Sequence, residues 1–392
     1  MLNSQLSEPE NYDIPSPAYV IYEDRIRNNL HQLKKVAEEN DISIIMALKA
    51  NALWKTFPII KEYIQNAAVS SVNELRLASD YLGGEIHAYC PVYTDETFPE
   101  FLQRSTHITF NTLSQFEKFK EMSVQYEEVS GRHVSLGLRV NPKCSVIEHD
   151  IYNPAIPGSR FGMSASQLPD ILPPEIEGLH FHMLCESGPD ELEKVLTQFE
   201  KDFGKYLPFL KWVNFGGGHL ITRKDYDTDK LKSLISSFKS RYPNLSIILE
   251  PGSAFTWQTG DLHVQILDIV EDEGIKTAII DASFACHMPD CLEMPYKPDI
   301  AECLHDDSQI AGYEFRLGGN TCLTGDFVGT WRFEQPLKIG DRLTLLDMNH
   351  YTTVKTHMFN GVSHPSIWLV RRNGTKELLR KFTYEDYRTR MS

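Results

Sequence analysis

The 392-residue sequence predicts an α/β protein with two parts, a (β/α)8 TIM-like barrel and a C-terminal antiparallel β-barrel or sandwich domain. Short apolar segments alternate with amphipathic stretches from residue 42 to residue 250, a pattern typical of parallel strands joined by helical crossovers. After Gly252 the helical periodicity fades, and β-rich runs separated by turn residues take over. The length also exceeds that of one ordinary core, so two domains are expected.

The order of elements begins with a strand-like segment, 16–22, which we expect to pair with the C-terminal domain. Residues 23–39 then form the helix that enters the barrel. The predicted domains are therefore 24–255 for the barrel, and 1–23 with 256–392 for the β domain.

The barrel requires eight strands, and eight short apolar runs are present. They lie at 42–48, 67–70, 85–91, 106–111, 133–140, 178–183, 211–215 and 246–250. Helices between them are expected at 73–82, 113–122, 191–205 and 230–241. An open doubly wound sheet is the rival topology, but the GxGxxG fingerprint expected after its first strand is missing. Eight strand–helix units therefore favour the barrel.

The β domain is predicted from shorter runs with turn residues between them. Its strands are expected at 262–269, 275–280, 313–317, 342–346 and 367–371. Turn signals include the segments 318–320, 325–326 and 340–341.

Charge and composition exclude several classes of function. A formal net charge of -15 disfavours nucleic acid and anionic membranes as partners. It suits a cationic small-molecule substrate, although solubility alone explains it equally well. There is no apolar run of about 18 residues that could span a membrane, and residues 1–13 lack a signal-peptide core, so a cytoplasmic protein is expected. Seven cysteines without a CxxC pair argue against a disulfide framework and a zinc knuckle, and no metal site is predicted.

Lys49 stands at the end of the first apolar strand, where a primary amine has no packing role. Lysine is rarely buried without a partner, and burial lowers its pKa and frees the lone pair for Schiff-base chemistry. Lys49 is therefore the first candidate to attach pyridoxal 5'-phosphate (PLP).

Two further strand ends carry groups that suit this cofactor. Gly216, Gly217 and Gly218 follow the seventh strand, where barrels of this kind bind phosphate and where glycine lets backbone amides approach an anion. Glu250 ends the eighth strand, and a carboxylate beside a PLP ring keeps the pyridine nitrogen protonated.

Side chains on the sixth strand and in the β domain complete the candidate set. Strand alternation places His180 and His182 on one face, so His182 can lie flat on the ring; a metal pair or two core histidines remain open. Cys322 and Asp326 lie in a turn-rich, exposed segment. Tyr351 offers a hydroxyl to phosphate.

In this order, these segments resemble the fold-type III PLP-dependent decarboxylases, the alanine-racemase-like group that includes ornithine and diaminopimelate decarboxylases. The resemblance runs from Pro17 to about Tyr387. Segments that resemble the carboxynorspermidine decarboxylases of bacterial polyamine synthesis within this group are 48–49, 179–186, 212–219, 257–260 and 287–290.

The resemblance implies a role for each candidate of the barrel. Lys49 is the Schiff-base lysine, His182 stacks on the ring and Glu250 pairs with the ring nitrogen. Gly216–Gly218 and Tyr351 hold the phosphate.

The resemblance also implies a homodimer with shared active sites, in which Cys322 and Asp326 come from the partner protomer and Cys322 or Lys49 returns the proton to the substrate. Two positions depart from the ornithine decarboxylases. Ser253 stands where those enzymes have a phosphate-binding arginine. Leu323 follows Cys322 where those enzymes have an aspartate that binds substrate, so the substrate-binding role can be carried over only to Asp326.

The implied reaction is decarboxylation of carboxynorspermidine, with carboxyspermidine left open as a second substrate. Acids that could bind the distal amines are Glu186, Asp290 and Asp326. Arg139 and Arg160 keep a diaminopimelate decarboxylase open, since a second substrate carboxylate needs an arginine, and ornithine is another alternative. An alternative from a different functional class is a regulatory protein that binds PLP without turnover. In such a protein Cys322 and Asp326 would have no role.

Overall fold

The computed structural model describes residues 13–147, 149–304, 308 and 310–392. The chain divides into two compact units, which we call the barrel unit and the sheet unit. The barrel unit is Arg27–Phe255, and the sheet unit combines the residues up to Ile26 with Thr256–Ser392. Whether the predicted boundaries delimit independently folding domains stays a prediction.

Strands and helices alternate up to about residue 256, and strands dominate afterwards. The strands are β1 (Ala18–Tyr22), β2 (Ser43–Ile44), β3 (Met46–Ala47), β4 (Ala67–Val69), β5 (Ile86–Tyr89), β6 (His107–Phe110), β7 (Ser135–Arg139), β8 (Ile176–His180), β9 (Trp212–Asn214), β10 (Ser246–Leu249), β11 (Gly260–Asp272), β12 (Ile275–Ile280), β13 (Tyr313–Gly318), β14 (Phe327–Phe333), β15 (Arg342–Leu345), β16 (Ser366–Val370) and β17 (Lys376–Arg380). The α-helices are α1 (Glu23–Asn40), α2 (Phe57–Ile60), α3 (Val72–Tyr81), α4 (Phe98–Arg104), α5 (Leu113–Ser130), α6 (Pro189–Phe203), α7 (Thr228–Arg241), α8 (Ser253–Thr256), α9 (Phe284–His287), α10 (Asp290–Glu293) and α11 (Tyr384–Met391).

The barrel unit contains the parallel barrel that the sequence predicts. Its strands follow the order β2-β10-β9-β8-β7-β6-β5-β4-β3. Strands β2 and β3 are the two halves of one strand interrupted at Ile45, whose amide donates to the Leu249 carbonyl. The two ends of the sheet therefore belong to the same stretch of chain, and the sheet curls into a nearly closed barrel, which confirms the predicted fold class.

Trp212 fills the interior of the barrel. It clusters with Ile45, Ala47, Ala68 and Ile248, all of them buried. A Cβ atom at Gly178 would lie 2.0 Å from Trp212 Cδ2, and the indole Nε1 donates to Ser135 Oγ over 2.8 Å. The indole is therefore accommodated by a missing side chain on β8 and anchored by a hydroxyl on β7.

The sheet unit holds an eight-stranded sheet with the order β14-β13-β12-β11-β1-β16-β17, and β15 pairs with β11. Most pairs are antiparallel, but β1 runs parallel to β16 and β12 runs parallel to β13. The sheet is thus mixed rather than wholly antiparallel, because β1 enters between β11 and β16 from the beginning of the chain.

Some differences from the predicted elements are local. Strand β8 spans Ile176–His180 rather than 178–183, so His182 lies just beyond it. Strands β14 and β17 were not predicted. No helix within the described residues is long and apolar enough to cross a bilayer.

Candidate active site

A row of polar side chains crosses three adjacent strands at their C-terminal ends. The strand register pairs Arg139 with His180, and His180 with Asn214. Glu250 directly follows β10, the next strand of the barrel. The C-terminal ends of barrel strands are where such folds carry their chemistry, so this row marks the candidate site.

Glu250 is held in place by an amide side chain. It is buried, and its Oε1 accepts a hydrogen bond of 2.7 Å from Asn214 Nδ2. The same Asn214 accepts a bond of 2.8 Å from the Gly216 amide through its Oδ1. Asn214 therefore links the carboxylate to the glycine loop, and both of its polar atoms are used.

Lys49 lies beside this row and remains accessible to solvent. Desolvation lowers the pKa of its amine; the Arg139 charge adds to the lowering, whereas Glu250 and Glu74 oppose it. A lower pKa increases the fraction of neutral amine, the form that attacks a carbonyl carbon.

His182 is a neutral imidazole with one assigned tautomer. Its Nδ1 accepts a hydrogen bond of 3.1 Å from the Gly217 amide, so a neutral ring carries its proton on Nε2. Desolvation, together with the charges of Lys49 and Arg139, holds the pKa of His182 well below its usual range. An uncharged ring face is what stacking on an aromatic cofactor requires.

His180 is the second inward-facing imidazole. Neither of its ring nitrogens has a hydrogen-bond partner among the residues that the structure describes, and Nε2 lies 3.6 Å from Glu250 Oε2. Burial lowers the pKa of His180 to about 4. The ring is therefore neutral at physiological pH, with unused polar atoms next to the carboxylate.

The glycine run approaches the neighbouring backbone too closely for any side chain. A Cβ atom would lie 2.4 Å from the Phe181 carbonyl at Gly216, 2.5 Å from the Glu250 carbonyl at Gly217 and 2.2 Å from the Leu184 backbone at Gly218. Gly216 and Gly218 also have φ of 74° and 88°, which favour glycine. The amides of Gly216 and Gly217 are already donated to Asn214 and His182, so the predicted phosphate contact, which stays a prediction, would rely on other donors of this loop.

His180, His182 and Glu250 also bring three ligand atoms within 4.8 Å of one another, a spacing that a metal ion could use. Two contacts disfavour that use. The lone pair of His182 Nδ1 already accepts from Gly217, and Glu250 Oε1 already accepts from Asn214. An amine of lowered pKa, a fixed carboxylate, a neutral imidazole and a glycine loop instead fit PLP.

The two arginines of the barrel unit lie between aromatic rings. Arg139 is buried, with its guanidinium carbon 4.5 Å from the Tyr89 ring centroid and 4.7 Å from that of Phe161. Arg160 lies 4.4 Å from the Phe161 centroid. Burial lowers the pKa of Arg139, and its planar group is held by ring stacking. A substrate contact for either arginine stays a prediction.

In the sheet unit, the segment around Cys322 is tied to two other loops. Cys322 is exposed, and its backbone amide donates a hydrogen bond of 2.8 Å to Asn360 Oδ1. Asp326 is buried and accepts at both carboxylate oxygens, from Ser283 and Ala285 on Oδ1 and from Thr321 on Oδ2. These bonds favour a structural role for Asp326, so its predicted contact with substrate stays untested.

The other predicted residues have local partners as well. Asp290 forms an ion pair with Lys355, which also pairs with Glu293. In the barrel unit, the Glu186 carbonyl accepts from Arg223, and Glu186 has a φ of 47°. Tyr351 is half-buried with a φ of 54°.

The structure thus gathers Lys49, His182, Glu250 and the glycine loop in the barrel unit, and it gathers Cys322 with Asp326 in the sheet unit. Sequence reasoning did not single out Asn214. The available signal was an asparagine inside an apolar strand directly before three glycines.

Comparison with known proteins gives a consistent picture. A family model described as pyridoxal-dependent decarboxylase, C-terminal sheet domain, matches residues 18–349. The chain is 44% identical to the carboxyaminopropylagmatine decarboxylase of Synechocystis sp., over 98% of both chains. It is 39% identical to the carboxynorspermidine/carboxyspermidine decarboxylase of Campylobacter jejuni, over 96% of this chain and 98% of the relative.

A solved structure is similar over the same length. The crystal structure of carboxynorspermidine decarboxylase complexed with norspermidine, from Campylobacter jejuni, superposes with a TM-score of 0.87 and 38% identity. The match covers 96% of this chain and all of that chain.

Proposed function

The chain belongs to the pyridoxal-dependent decarboxylases of the ornithine, diaminopimelate and arginine decarboxylase family, and from this premise we propose that it decarboxylates a carboxylated polyamine, carboxynorspermidine or carboxyspermidine. The observation that carries the substrate class is the full-length similarity to a relative named for these two substrates, at 39% identity. A structural neighbour at 38% identity that binds norspermidine supports the same class.

Pyridoxal phosphate, when bound, supplies an electron sink for the pair released as the bond between Cα and the substrate carboxylate breaks. Lys49 provides the amine that attaches the cofactor, and desolvation by the surrounding barrel lowers its pKa for that task. Glu250 would supply the negative charge that keeps a proton on the ring nitrogen, and Asn214 fixes the orientation of this carboxylate through the 2.7 Å bond. His182 offers the neutral ring face.

The proton that replaces CO2 on Cα needs a donor close to the site. We assign it to Lys49 or to Cys322, which is exposed in its protomer and sits on a loop braced by Asp326 and Asn360. The family resemblance implies that such a cysteine belongs to the partner's site. A homodimer with shared sites is therefore part of the proposal.

Carboxyaminopropylagmatine is the second candidate substrate, and the relative with 44% identity favours it. Agmatine ends in a guanidinium group rather than a primary ammonium group. A planar guanidinium pairs with a carboxylate through two parallel hydrogen bonds, whereas an ammonium acts as a compact point charge. The two substrate classes therefore differ mainly in what the distal end of the pocket must bind.

Release of CO2 from a panel of substrates tests both candidates. The panel is carboxynorspermidine, carboxyspermidine, carboxyaminopropylagmatine, diaminopimelate and ornithine, with PLP in excess. We expect kcat/KM for the preferred carboxylated polyamine to exceed that for ornithine and diaminopimelate by at least about a hundredfold, because unpaired buried polar groups penalise the wrong tail. Between carboxynorspermidine and carboxyspermidine, one methylene should change kcat/KM by only about 10- to 200-fold.

Each outcome of the panel decides something. Preference for carboxyaminopropylagmatine would select the second candidate. Equal or better turnover of diaminopimelate would overturn the polyamine assignment and direct attention to Arg139 and Arg160. PLP absorbance without release of CO2 from any substrate would instead favour the regulatory protein.

A further inference from the structure

His180 is a buried imidazole that the chemistry proposed above does not use. It ends β8, its side chain is 2% exposed, and neither of its ring nitrogens has a hydrogen-bond partner among the described residues. Buried polar groups nearly always have a partner, and a buried group left without one destabilises the fold. The groups around the ring therefore have to explain why an imidazole stands here.

A carboxylate oxygen lies close to the ring. His180 Nε2 is 3.6 Å from Glu250 Oε2, a few tenths of an ångström beyond hydrogen-bond distance. The other carboxylate oxygen, Oε1, already accepts a hydrogen bond from Asn214 Nδ2. A neutral imidazole with its proton on Nε2 needs only a small shift to donate to Oε2, and each oxygen of Glu250 then has one neutral donor.

The surroundings of His180 keep its ring uncharged. Burial lowers the pKa of His180 to about 4; the charges of Arg139 and Lys49 add to the lowering, and Glu250 opposes it. Arg139 is also the register partner of His180 on β7, and the Tyr89 ring packs edge-on with centroids 5.6 Å apart. A neutral donor orients a carboxylate without cancelling its charge, whereas an imidazolium would compete for that charge with any other cation.

We propose that His180 is a positioning residue for Glu250. Its Nε2–H donates to Oε2 and, together with Asn214 on Oε1, fixes the orientation of the carboxylate. The inference rests on the proposed function, in which the charge of Glu250 keeps a proton on the ring nitrogen of bound PLP. Donors that are already in place stabilise such a charge without reorganisation during the reaction. The effect of His180 on turnover therefore passes through Glu250.

Two substitutions that differ in the donor test this role in the PLP-loaded enzyme. His180→Leu removes both nitrogens at similar volume, whereas His180→Gln keeps a neutral N–H donor near the position of Nε2. We expect kcat to fall by about 10- to 100-fold in His180→Leu, with KM changed by less than about twofold, and to stay within about threefold of wild type in His180→Gln.

His87→Leu is the matched control. His87 is another buried histidine on a barrel strand, and its Nε2 also lacks a hydrogen-bond partner among the described residues. That nitrogen lies 3.7 Å from Glu85 rather than beside Glu250, so His87→Leu should keep the kcat of the wild type. Wild-type kcat in His180→Leu, or equal losses in His180→Leu and His180→Gln, would overturn the proposal.

A double-mutant cycle tests whether the effect passes through Glu250. In the Glu250→Gln background, His180→Leu should lower kcat no further, because the charged carboxylate that His180 orients is already gone. A general packing defect would lower kcat by the same factor in both backgrounds. That result would overturn the positioning role.

NMR of cofactor-free protein with isotope-labelled histidine nitrogens provides a readout that needs no turnover. We expect the His180 ring, assigned by its absence in His180→Gln, to carry its proton on Nε2. A proton on Nδ1 would overturn the proposal, even if His180→Leu fails to fold. Failure of the proposed function looks different: no CO2 release from any substrate, or near-normal kcat in Glu250→Gln, would contradict it, and the tautomer would still decide the contact between His180 and Glu250.

Discussion

At the scale of single residues, the contact that governs the candidate chemistry is the hydrogen bond from Asn214 to Glu250. Lys49, His182 and Glu250 could be inferred from the sequence because each lies at or just beyond the end of an apolar strand. Asn214 could not be inferred, because its role depends on β9 lying between β8 and β10 and on the turn at Gly216. Such a role is a property of register rather than of residue type.

Glu250→Gln tests the carboxylate. The substitution keeps the shape of the side chain and removes its charge, so cofactor should still bind through its other contacts. We expect kcat to fall by about 10²–10³-fold, the usual cost of one charge-stabilising group. Steady-state CO2 release together with PLP absorbance measures both properties. Near-normal kcat would show that Glu250 does not hold the ring nitrogen in its protonated state.

Asp326→Asn separates a structural role from a substrate contact. Both oxygens of Asp326 accept bonds from Ser283, Ala285 and Thr321, and an amide nitrogen cannot accept from the Thr321 hydroxyl and amide. We therefore expect a loss of about 1–3 kcal/mol in the free energy of unfolding, measured with urea. Unchanged stability with a large increase in KM would instead identify Asp326 as a substrate ligand.

At the scale of elements, the eight barrel strands were predictable because buried parallel strands are short apolar runs spaced by helices. The sheet unit was harder. Strand β14 contains a glycine, and β17 carries three charged residues, so neither resembles a buried run in the sequence. The two parallel pairings were also missed, since residues 18–22 and 366–370 meet across more than 340 positions of sequence.

Gly178→Ala tests how the barrel interior accommodates Trp212. The new Cβ would lie 2.0 Å from the indole, so the indole or β8 must move. Overpacking of this kind costs about 1–3 kcal/mol, which should lower the Tm by several degrees. Gly325→Ala is the matched control, because a Cβ atom there meets nothing within 4 Å. A Tm for Gly178→Ala equal to that of the control would show that the barrel interior has room for the added methyl group beside Trp212.

At the scale of the whole molecule, the sequence resemblance implies a dimer with shared sites, and this remains a prediction. The net charge of -15 agrees with a cationic substrate, but it does not distinguish steering from solubility. An interface between protomers forms from two surfaces, and a single sequence does not identify which of its residues lie on them. Subunit exchange between inactive variants therefore provides the direct test.

Lys49→Ala removes the amine that attaches the cofactor, and Cys322→Ala removes the exposed thiol of the sheet unit. If each site combines Lys49 of one protomer with Cys322 of the other, a mixed dimer contains one site with both residues intact and one site with neither. Random exchange of equal amounts should then restore roughly a quarter of wild-type activity per site, since half of the dimers are mixed. Mixing Lys49→Ala with Glu250→Gln is the control, because both residues lie in the barrel unit of one chain. That mixture should recover no activity. Absence of recovery with Lys49→Ala and Cys322→Ala, once native mass spectrometry has established exchange, would place both residues in the site of the same chain.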